Sequence, residues 1–245
     1  WLRTWPGGLL TTAGLLNVGG PEGGHGLHGR ASHIAADDLK IDRAWVDGEY
    51  VLSVGGTIRH TMAFGEKLEI RRQIKTVHGK NVIMVRDTVE NQGFAPVPLM
   101  MLYHCNFGYP LVDGNAYIKT VEHKVTGKDE ASQADIANWS RLEAPTHGYA
   151  EEVFIHEIPA DSDGLARMSI VNPAEKMQVT IAYDPATLPV LNHWKQMGEG
   201  EYVIGMEPGN CTPTGQSDNE KSGMLRMIEP GEVVDFKLQI EVIEL

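Results

Sequence analysis

The fold of this chain is decided by residues 68–91, LEIRRQIKTVHGKNVIMVRDTVEN. Apolar residues recur at alternate positions on both sides of a polar turn: Leu68, Ile70, Ile74, Ile83, Val85 and Val89. A period of two places side chains alternately on the two faces of a β-strand, whereas a helix requires a period of 3.6. Two such runs joined by the turn His78-Gly79-Lys80-Asn81 predict a β-hairpin.

A second alternating run ends the chain after the turn at Pro230 and Gly231. Its apolar members would share one face of a strand: Phe236, Leu238, Ile240 and Val242. Apolar segments between Gly and Pro residues predict six further strands: Tyr50–Val54, Pro98–Tyr103, Val153–Ile158, Ala166–Val171, Gln178–Tyr183 and Tyr202–Met206. The chain is therefore expected to be all-β.

Helical patterns are sparse, and short helices are expected only at Ala31–Lys40 and Asp129–Trp139. Neither segment is long enough to cover a sheet. No repeat, low-complexity tract or linker divides the chain. The sequence predicts a single domain, residues 1–245, folded as a large antiparallel β-sandwich with few short helices.

The composition limits the classes of partner. The formal net charge is −12 and no cluster of Lys and Arg offsets it, so neither nucleic acid nor a membrane surface is expected to bind. No run approaches the roughly 18 apolar residues of a membrane helix. Two cysteines, Cys105 and Cys211, are too few for a disulfide framework, and a cytoplasmic location is expected.

A histidine interrupts the apolar run LYHCNFG, residues 102–108. An imidazole in such a strand can have its pKa tuned close to neutrality, and His104 is therefore a candidate general acid or base. Asn106 lies two residues further on and would share its face. The competing interpretation is a buried histidine that a backbone carbonyl satisfies.

A carboxylate ends a second apolar run. Glu207 follows Val203–Met206 and precedes Pro208-Gly209-Asn210. A carboxylate in this position should have a shifted pKa and a specific role, unless it simply faces solvent. His104 and Glu207 facing each other across a cleft would form an acid–base pair, and Asn210 is a candidate substrate-binding residue beside it.

Residues 192–198, NHWKQMG, place an aromatic plate beside polar groups. Sugars stack their apolar ring faces on aromatic side chains, and their hydroxyl groups require donors and acceptors. Trp194, Lys195 and Gln196 are therefore candidate sugar-binding residues. A core tryptophan with surface neighbours is the alternative.

The segment Gly24-His25-Gly26-Leu27-His28-Gly29 has the spacing of a dinucleotide-binding loop. Its context is wrong, because no buried strand precedes it and no alternation of strands and helices surrounds it. His28 and Arg30 are two residues apart, so in an extended segment they would point to one face and could hold sugar hydroxyls. The alternative is that both are surface loop residues.

Three of these blocks, taken in order, resemble the aldose 1-epimerase (galactose mutarotase-like) superfamily, and most closely its less characterised, divergent branch. Leu27-His28-Gly29-Arg30 is similar to the superfamily's His-Gly loop, Tyr103–Phe107 to its strand with a catalytic histidine, and Gly205–Pro208 to its Glu-Pro segment. The resemblance extends over nearly the whole chain.

The resemblance implies the superfamily's two-sheet sandwich and a small-molecule carbohydrate as partner. Glu207 would take the proton of the anomeric hydroxyl, His104 would protonate the ring oxygen, and His28 and Arg30 would hold hydroxyls. No cofactor is required. Members of the superfamily usually run longer at the N-terminus, so a first strand or two is expected to be absent from this sequence. No substrate-binding Asp is clear, and Asp184 and His156 are stand-ins for it.

Two other functions remain open from the sequence, as does a homodimer. The same sandwich could be a carbohydrate-binding module without catalytic activity. It could also be a lyase or isomerase of keto or acidic sugars that uses a metal held by His28, His104 and Glu207. Cys105 and Cys211 lie near the same segments, but their spacing fits no compact zinc signature.

Overall fold

The computed structural model of the protein describes residues 1–5 and 7–245. The strands are β1 (Leu10–Leu15), β2 (Asp37–Val46), β3 (Glu49–Thr61), β4 (Lys67–Val77), β5 (Val82–Asn91), β6 (Val97–Gly108), β7 (Tyr117–Lys119), β8 (Lys124–Gly127), β9 (Glu152–Glu157), β10 (Ala166–Asn172), β11 (Met177–Tyr183), β12 (Val190–Gly198), β13 (Glu201–Gly209), β14 (Arg226–Ile228) and β15 (Val233–Glu244). The helices are α1 (Glu130–Ala134) and α2 (Gln216–Lys221), with 3-10 turns at Ala31–His33 and Ile136–Asn138.

These strands form two antiparallel sheets. The smaller sheet has the order β1-β6-β13-β12-β9-β8, with β14 also paired to β6. The larger sheet has the order β2-β3-β4-β5-β15-β11-β10-β7. One continuous apolar cluster contains residues of both sheets. The predicted antiparallel β-sandwich with few short helices is therefore confirmed.

The hairpin predicted at residues 68–91 forms as β4 and β5, paired from Leu68 with Asn91 to Thr76 with Ile83. Of the one or two helical turns predicted within Ala31–Lys40, one forms. Only Ala31–His33 is helical, and the chain enters β2 at Asp37. This difference follows from the turn at Asp47 and Gly48, both with positive φ, because it joins β2 to β3 as a hairpin and pairing overrides local helical preference. The helix expected at Asp129–Trp139 forms as α1 and a 3-10 turn.

The larger sheet exposes apolar side chains at its β2 edge. Ile41 is 87% exposed and Trp45 is 73% exposed. Their cross-strand partners on β3 are Val54 and Tyr50. This register places Ile41 and Trp45 on the same face of the larger sheet as the residues of later strands that pack in the core. Among the described residues, no helix is both long and apolar enough to cross a membrane.

Alternation along β6 separates the core from the opposite face of the smaller sheet. Met101, Tyr103 and Cys105 pack in the core between the sheets. His104 and Asn106, one residue out of phase, therefore face the other side. The orientation of β6 decides which of its residues can meet a ligand.

A buried polar cluster joins the two sheets at this strand. Asp87 of β5 is fully buried, and Arg72 of β4 donates to both of its carboxylate oxygens, at 2.8 and 2.6 Å. The Tyr103 hydroxyl of β6 donates to Asp87 Oδ2 at 2.7 Å, and Arg72 Nη2 donates to Thr12 Oγ1 of β1 at 2.7 Å. Bidentate, charge-assisted bonds of this kind are directional and strong. The cluster therefore fixes β6 and β1 against the larger sheet.

Replacement of Asp87 should show how much stability this cluster provides. We expect Asp87→Ala to lower the free energy of unfolding by about 3–5 kcal/mol, because it leaves the Arg72 charge and the Tyr103 hydroxyl without their partner. Urea unfolding followed by circular dichroism measures this change. Asp235→Ala, which removes an exposed carboxylate that Arg86 and Thr88 contact, is the control, with an expected loss of at most about 1 kcal/mol. Equal effects of the two substitutions would contradict the assigned role.

Candidate active site

Strand pairing brings His104 and Glu207 together. Strands β6 and β13 pair with Cys105 opposite Met206 and Leu102 opposite Gly209, a register that places His104 opposite Glu207. Their side chains point to the same face, and His104 Nε2 lies 3.1 Å from Glu207 Oε1. Both residues are buried, with exposed fractions of 6% and 3%.

The two groups approach closely but keep unused hydrogen-bonding capacity. Neither Glu207 Oε1 nor His104 Nδ1 has a hydrogen-bond partner among the described residues, and the 3.1 Å contact lacks hydrogen-bond alignment. Buried polar atoms are nearly always satisfied in folded proteins. Two such atoms in one buried pair therefore mark a candidate site for a polar ligand.

Burial shifts the pKa values of this pair in opposite directions. It raises the pKa of Glu207 well above the ordinary value of 4.5, and the nearby Glu151 carboxylate raises it further. Burial also lowers the pKa of His104 from 6.5 to about 3, with an added contribution from His28. The uncharged forms, a protonated carboxyl group on Glu207 and a neutral imidazole on His104, are thus favoured.

Gly205 provides the space that the Glu207 carboxyl group occupies. A Cβ atom at this position would lie 2.3 Å from Glu207 Oε1 and 3.2 Å from the Cβ of Trp194. Trp194 is the cross-strand partner of Gly205 on β12. Any larger residue at 205 would displace the carboxyl group from its position beside the indole ring.

The pair lies in a cavity of about 270 Å³. Its lining combines aromatic rings with a few polar groups: Trp1, Leu2, Trp5, Gly19, Gly20, Leu27, His28, His104, Lys128, Glu151, Val153, Trp194, Glu207 and Pro213. Ligand pockets usually measure about 300–1,000 Å³. The cavity lies just below this range and is of a size for one small molecule.

Two indole rings flank the histidine. The ring centroid of His104 lies 5.6 Å from that of Trp194 and 5.2 Å from that of Trp5. Trp194 Nε1 donates to Glu151 Oε2 at 2.8 Å, and Trp5 Nε1 donates to Thr11 Oγ1 at 3.2 Å. These bonds fix the orientation of both rings, so the cavity offers a prearranged aromatic wall.

His28 is in the cavity, as its position in the glycine-rich loop suggested. Its ring centroid lies 5.8 Å from that of His104, and the backbone N–H of Gly19 donates to His28 Nδ1 at 3.4 Å. Burial, with Lys128 adding to it, lowers the pKa of His28 to about 4. A neutral imidazole can both donate and accept a hydrogen bond.

The expectation that His28 and Arg30 share one face is wrong. His28 has φ of 57° and Gly29 has φ of 71°, so the segment turns and is not extended. Arg30 is exposed and does not line the cavity. A dinucleotide-binding loop is followed by a helix. Here only a 3-10 turn at Ala31–His33 follows the glycine-rich segment, so the structure does not support the match in spacing.

The structure does not bring Lys195 to the cavity. Alternation along β12 places it on the face opposite to Trp194, where it is fully buried. Its ammonium group lies 3.2 Å from Glu152 and 3.4 Å from Glu143 and donates to the Asn138 carbonyl at 3.4 Å. These contacts give it a structural role in the packing of residues 138–152 on the sheet.

The three remaining candidates lie near the cavity without lining it. Gln196 is on the Trp194 face of β12. Asn106 is beside His104 and donates to the carbonyls of Gly8 and His104 at 3.0 and 3.2 Å. Asn210 accepts from the backbone N–H of Met101 at 2.7 Å and donates to the Leu99 carbonyl at 2.8 Å, so it is a structural link to β6.

Other residues considered from the sequence lie elsewhere. Asp184 accepts the backbone N–H of Ala186 in a turn, and His156 contacts His123 on the opposite face of β9. Cys105 and Cys211 are buried thiols. In residues 1–5 and 7–245, no group of three or more His, Cys, Asp or Glu side chains has the geometry of a metal site, and His28, His104 and Glu207 are not arranged as a ligand set.

Several lining residues were not predicted from the sequence. Trp5, Lys128 and Glu151 come from loops, where no strand period indicates the direction of a side chain. Two tryptophans within five residues, followed by Gly7 and Gly8, were the strongest local signal. The contribution of Lys128 and Glu151 depends on how β8 and β9 pair, which their sequences do not encode locally.

Comparison with known proteins supports the fold. The family model for a domain of unknown function, DUF4432, matches residues 1–242. A "putative aldose 1-epimerase" from Klebsiella pneumoniae superposes with a TM-score of 0.89 at 22% identity, covering 96% of this chain and 63% of that chain. This chain thus spans less than two thirds of that protein's length. No curated protein matches in sequence.

Two further solved structures share the architecture. A galactose mutarotase-like protein from Clostridium acetobutylicum gives a TM-score of 0.70 at 13% identity, covering 96% of this chain and 79% of that chain. A GalM/aldose epimerase homologue from C. elegans gives 0.55 at 10% identity, covering 96% and 80%. The chain has the galactose mutarotase-like fold, as the resemblance implied.

The raised pKa of Glu207 should appear in the stability of the protein. The folded state binds this proton more tightly than the unfolded state, so its contribution is fully present below about pH 4.5 and is lost as pH rises. We therefore expect Glu207→Gln, which is neutral at every pH, to become progressively more stable than the parent above pH 4.5. Urea unfolding at pH 4, 6 and 8 measures the difference. Glu241→Gln, at an exposed position on β15, is the matched control, and a pH-independent difference for Glu207→Gln would contradict the assignment.

Proposed function

The chain belongs to the DUF4432 family, and we propose that it is a sugar mutarotase or epimerase that interconverts the anomers of an aldose by acid–base ring opening. The observation that carries the proposal is the buried contact of 3.1 Å between His104 and Glu207 in an aromatic-walled cavity. The related folds, named as epimerases and mutarotase-like proteins, support it at the level of architecture.

Ring opening of a cyclic aldose requires two proton transfers. A base removes the proton of the anomeric hydroxyl group while an acid protonates the neighbouring ring oxygen. These oxygens are both attached to the anomeric carbon, so the acid and the base must lie on adjacent sites. Two titratable groups that are 3.1 Å apart, with pKa values shifted in opposite directions, meet this requirement.

In the proposed division of roles, Glu207 is the base and His104 is the acid. Because burial favours a protonated Glu207 and a neutral His104, a proton must pass from Glu207 to His104 before the two groups can act in these roles. The distance of 3.1 Å permits this transfer directly once the two groups align. Sugar hydroxyls in the cavity would stabilise the resulting carboxylate and imidazolium, which lack other partners there.

The remaining lining residues would hold the sugar during the reaction. Trp194 offers a flat apolar surface for one face of the ring, with its orientation fixed by Glu151. His28, neutral beside His104, would donate to or accept from a hydroxyl. After the ring opens, rotation of the aldehyde and reversal of both proton transfers would give the other anomer. The chain's own groups supply every proton in this scheme.

Substitution of the two central residues tests the proposal. We expect His104→Ala and Glu207→Gln each to lower kcat for anomer exchange by about 10²–10⁴-fold, the usual contribution of a positioned acid or base. Exchange spectroscopy by NMR on a panel of aldoses, with the uncatalysed rate subtracted, measures this effect. His78→Ala and Glu241→Gln, which alter exposed residues in the β4–β5 turn and on β15, are the matched controls and should keep the parent rate.

Parent-like exchange by both His104→Ala and Glu207→Gln would refute the assignment of roles. A parent protein that binds sugars without accelerating exchange would be a carbohydrate-binding module. Stoichiometric zinc or manganese in purified active protein would favour the metal-dependent lyase or isomerase.

A further inference from the structure

The cavity contains a cation whose position was not expected from the sequence. Lys128 follows β8. Among the described residues that line the cavity, it is the only Lys or Arg. In the described part of the chain its ammonium group donates no hydrogen bond within the cavity, and its nearest carboxylate is that of Asp129, its own neighbour, at 3.8 Å. The side chain is about one-quarter exposed. It is therefore available to a ligand.

The Glu151 carboxylate, the other charged group at the Lys128 end of the cavity, already has a hydrogen-bond partner. The Glu151 carboxylate accepts the indole N–H of Trp194 at 2.8 Å. No ion pair joins Glu151 to Lys128 in residues 1–5 and 7–245. The two residues thus act separately, one on the aromatic plate and the other on the open end of the cavity.

Strand register gives the position of Lys128 relative to the acid–base pair. The Glu207 carboxyl lies over Gly205, Gly205 is opposite Trp194, and Trp194 is opposite Val153. The backbone N–H of Lys128 donates to the Val153 carbonyl at 2.9 Å. Lys128 is therefore three strands away from Gly205, on a line across the sheet that runs through Trp194 and Val153.

This line has the length of a substituted sugar. Adjacent strands are about 4.8 Å apart, so three steps span roughly 14 Å. An extended lysine side chain that is directed from Lys128 back towards Trp194 would cover roughly 6 Å of this span. The remaining distance of roughly 8 Å is the scale of one sugar ring with its exocyclic group, and Val153 provides an apolar floor without a competing acceptor.

We infer that the substrate is an aldose with an anionic group, a carboxylate or a phosphate, at the end remote from its anomeric carbon, and that Lys128 binds that group. This inference rests on the proposed function, because the orientation of the sugar is set by its reaction at His104 and Glu207. A ring stacked on Trp194 with its anomeric carbon at that pair directs its far end to Lys128. The ammonium group would form a charge-assisted hydrogen bond with the anion.

Anomer exchange on matched sugars tests the inference. The panel is D-glucose, D-glucuronate and D-glucose 6-phosphate, with the same three forms of D-galactose, at constant ionic strength and with each uncatalysed rate subtracted. We expect the parent to have a higher kcat/KM for one anionic form than for the neutral sugar. Lys128→Met should lower that value by about 10–100-fold, the usual effect of a bond to a charged group, a clearly larger loss than it causes for the neutral sugar.

Two variants keep the test decisive. Lys128→Arg retains the charge and should retain the preference for the anionic sugar. Lys124→Met removes a cation from β8, the strand that precedes Lys128, where it contacts Glu157 on the surface, and should behave as the parent. The form preferred, uronate or phosphate, identifies the anion.

The failure of this inference differs from the failure of the proposed function. Equal kcat/KM values for neutral and anionic sugars, unchanged by Lys128→Met, would overturn the inference and leave the mutarotase activity standing. Absence of accelerated exchange for every sugar in the panel would overturn both.

Discussion

The site depends on the buried polar cluster that joins the two sheets. Asp87 holds Arg72 and Tyr103 at bonding distance inside the core, and Tyr103 is the residue before His104. With Tyr103 drawn to the larger sheet, alternation along β6 directs His104 to the opposite face. A strand rotated by one residue would place the imidazole in the core and the phenol in the cavity. A buried charged cluster thereby sets the orientation of the candidate catalytic residue.

The same strand arrangement accounts for the unusual chemistry of the pair. Placing an imidazole and a carboxyl group opposite each other on adjacent strands buries both, and burial disfavours their charged forms. Gly205 leaves room for the carboxyl group beside Trp194. The protein thus maintains a destabilising arrangement at this point, which the sandwich core and the Asp87 cluster offset. Such local conflicts with stability are a common property of functional sites.

Sequence patterns predicted those features that depend on local periodicity. The hairpin of β4 and β5 and the C-terminal strand followed from alternation alone, and His104 and Glu207 were selected as a candidate acid and base because each interrupted an apolar run. The pairing of β2 with β3 was not recognised from those patterns, and the start of β2, Asp37–Lys40, was assigned to a helical segment. The separation of Lys195 from Trp194 could have been predicted, because adjacent residues in a strand face opposite sides. The left-handed conformation of His28 could not, since non-glycine residues rarely adopt it.

The central claim is that burial favours the uncharged forms of both groups, a protonated Glu207 and a neutral His104. The most direct measurement is a titration of the Glu207 side-chain carboxyl carbon by ¹³C NMR, with the resonance assigned by its loss in Glu207→Gln. The account predicts a midpoint well above the ordinary value of 4.5, with His104 remaining neutral in ¹⁵N spectra down to about pH 4. A Glu207 midpoint at or below 4.5, together with a His104 ring that is charged at neutral pH, would contradict it.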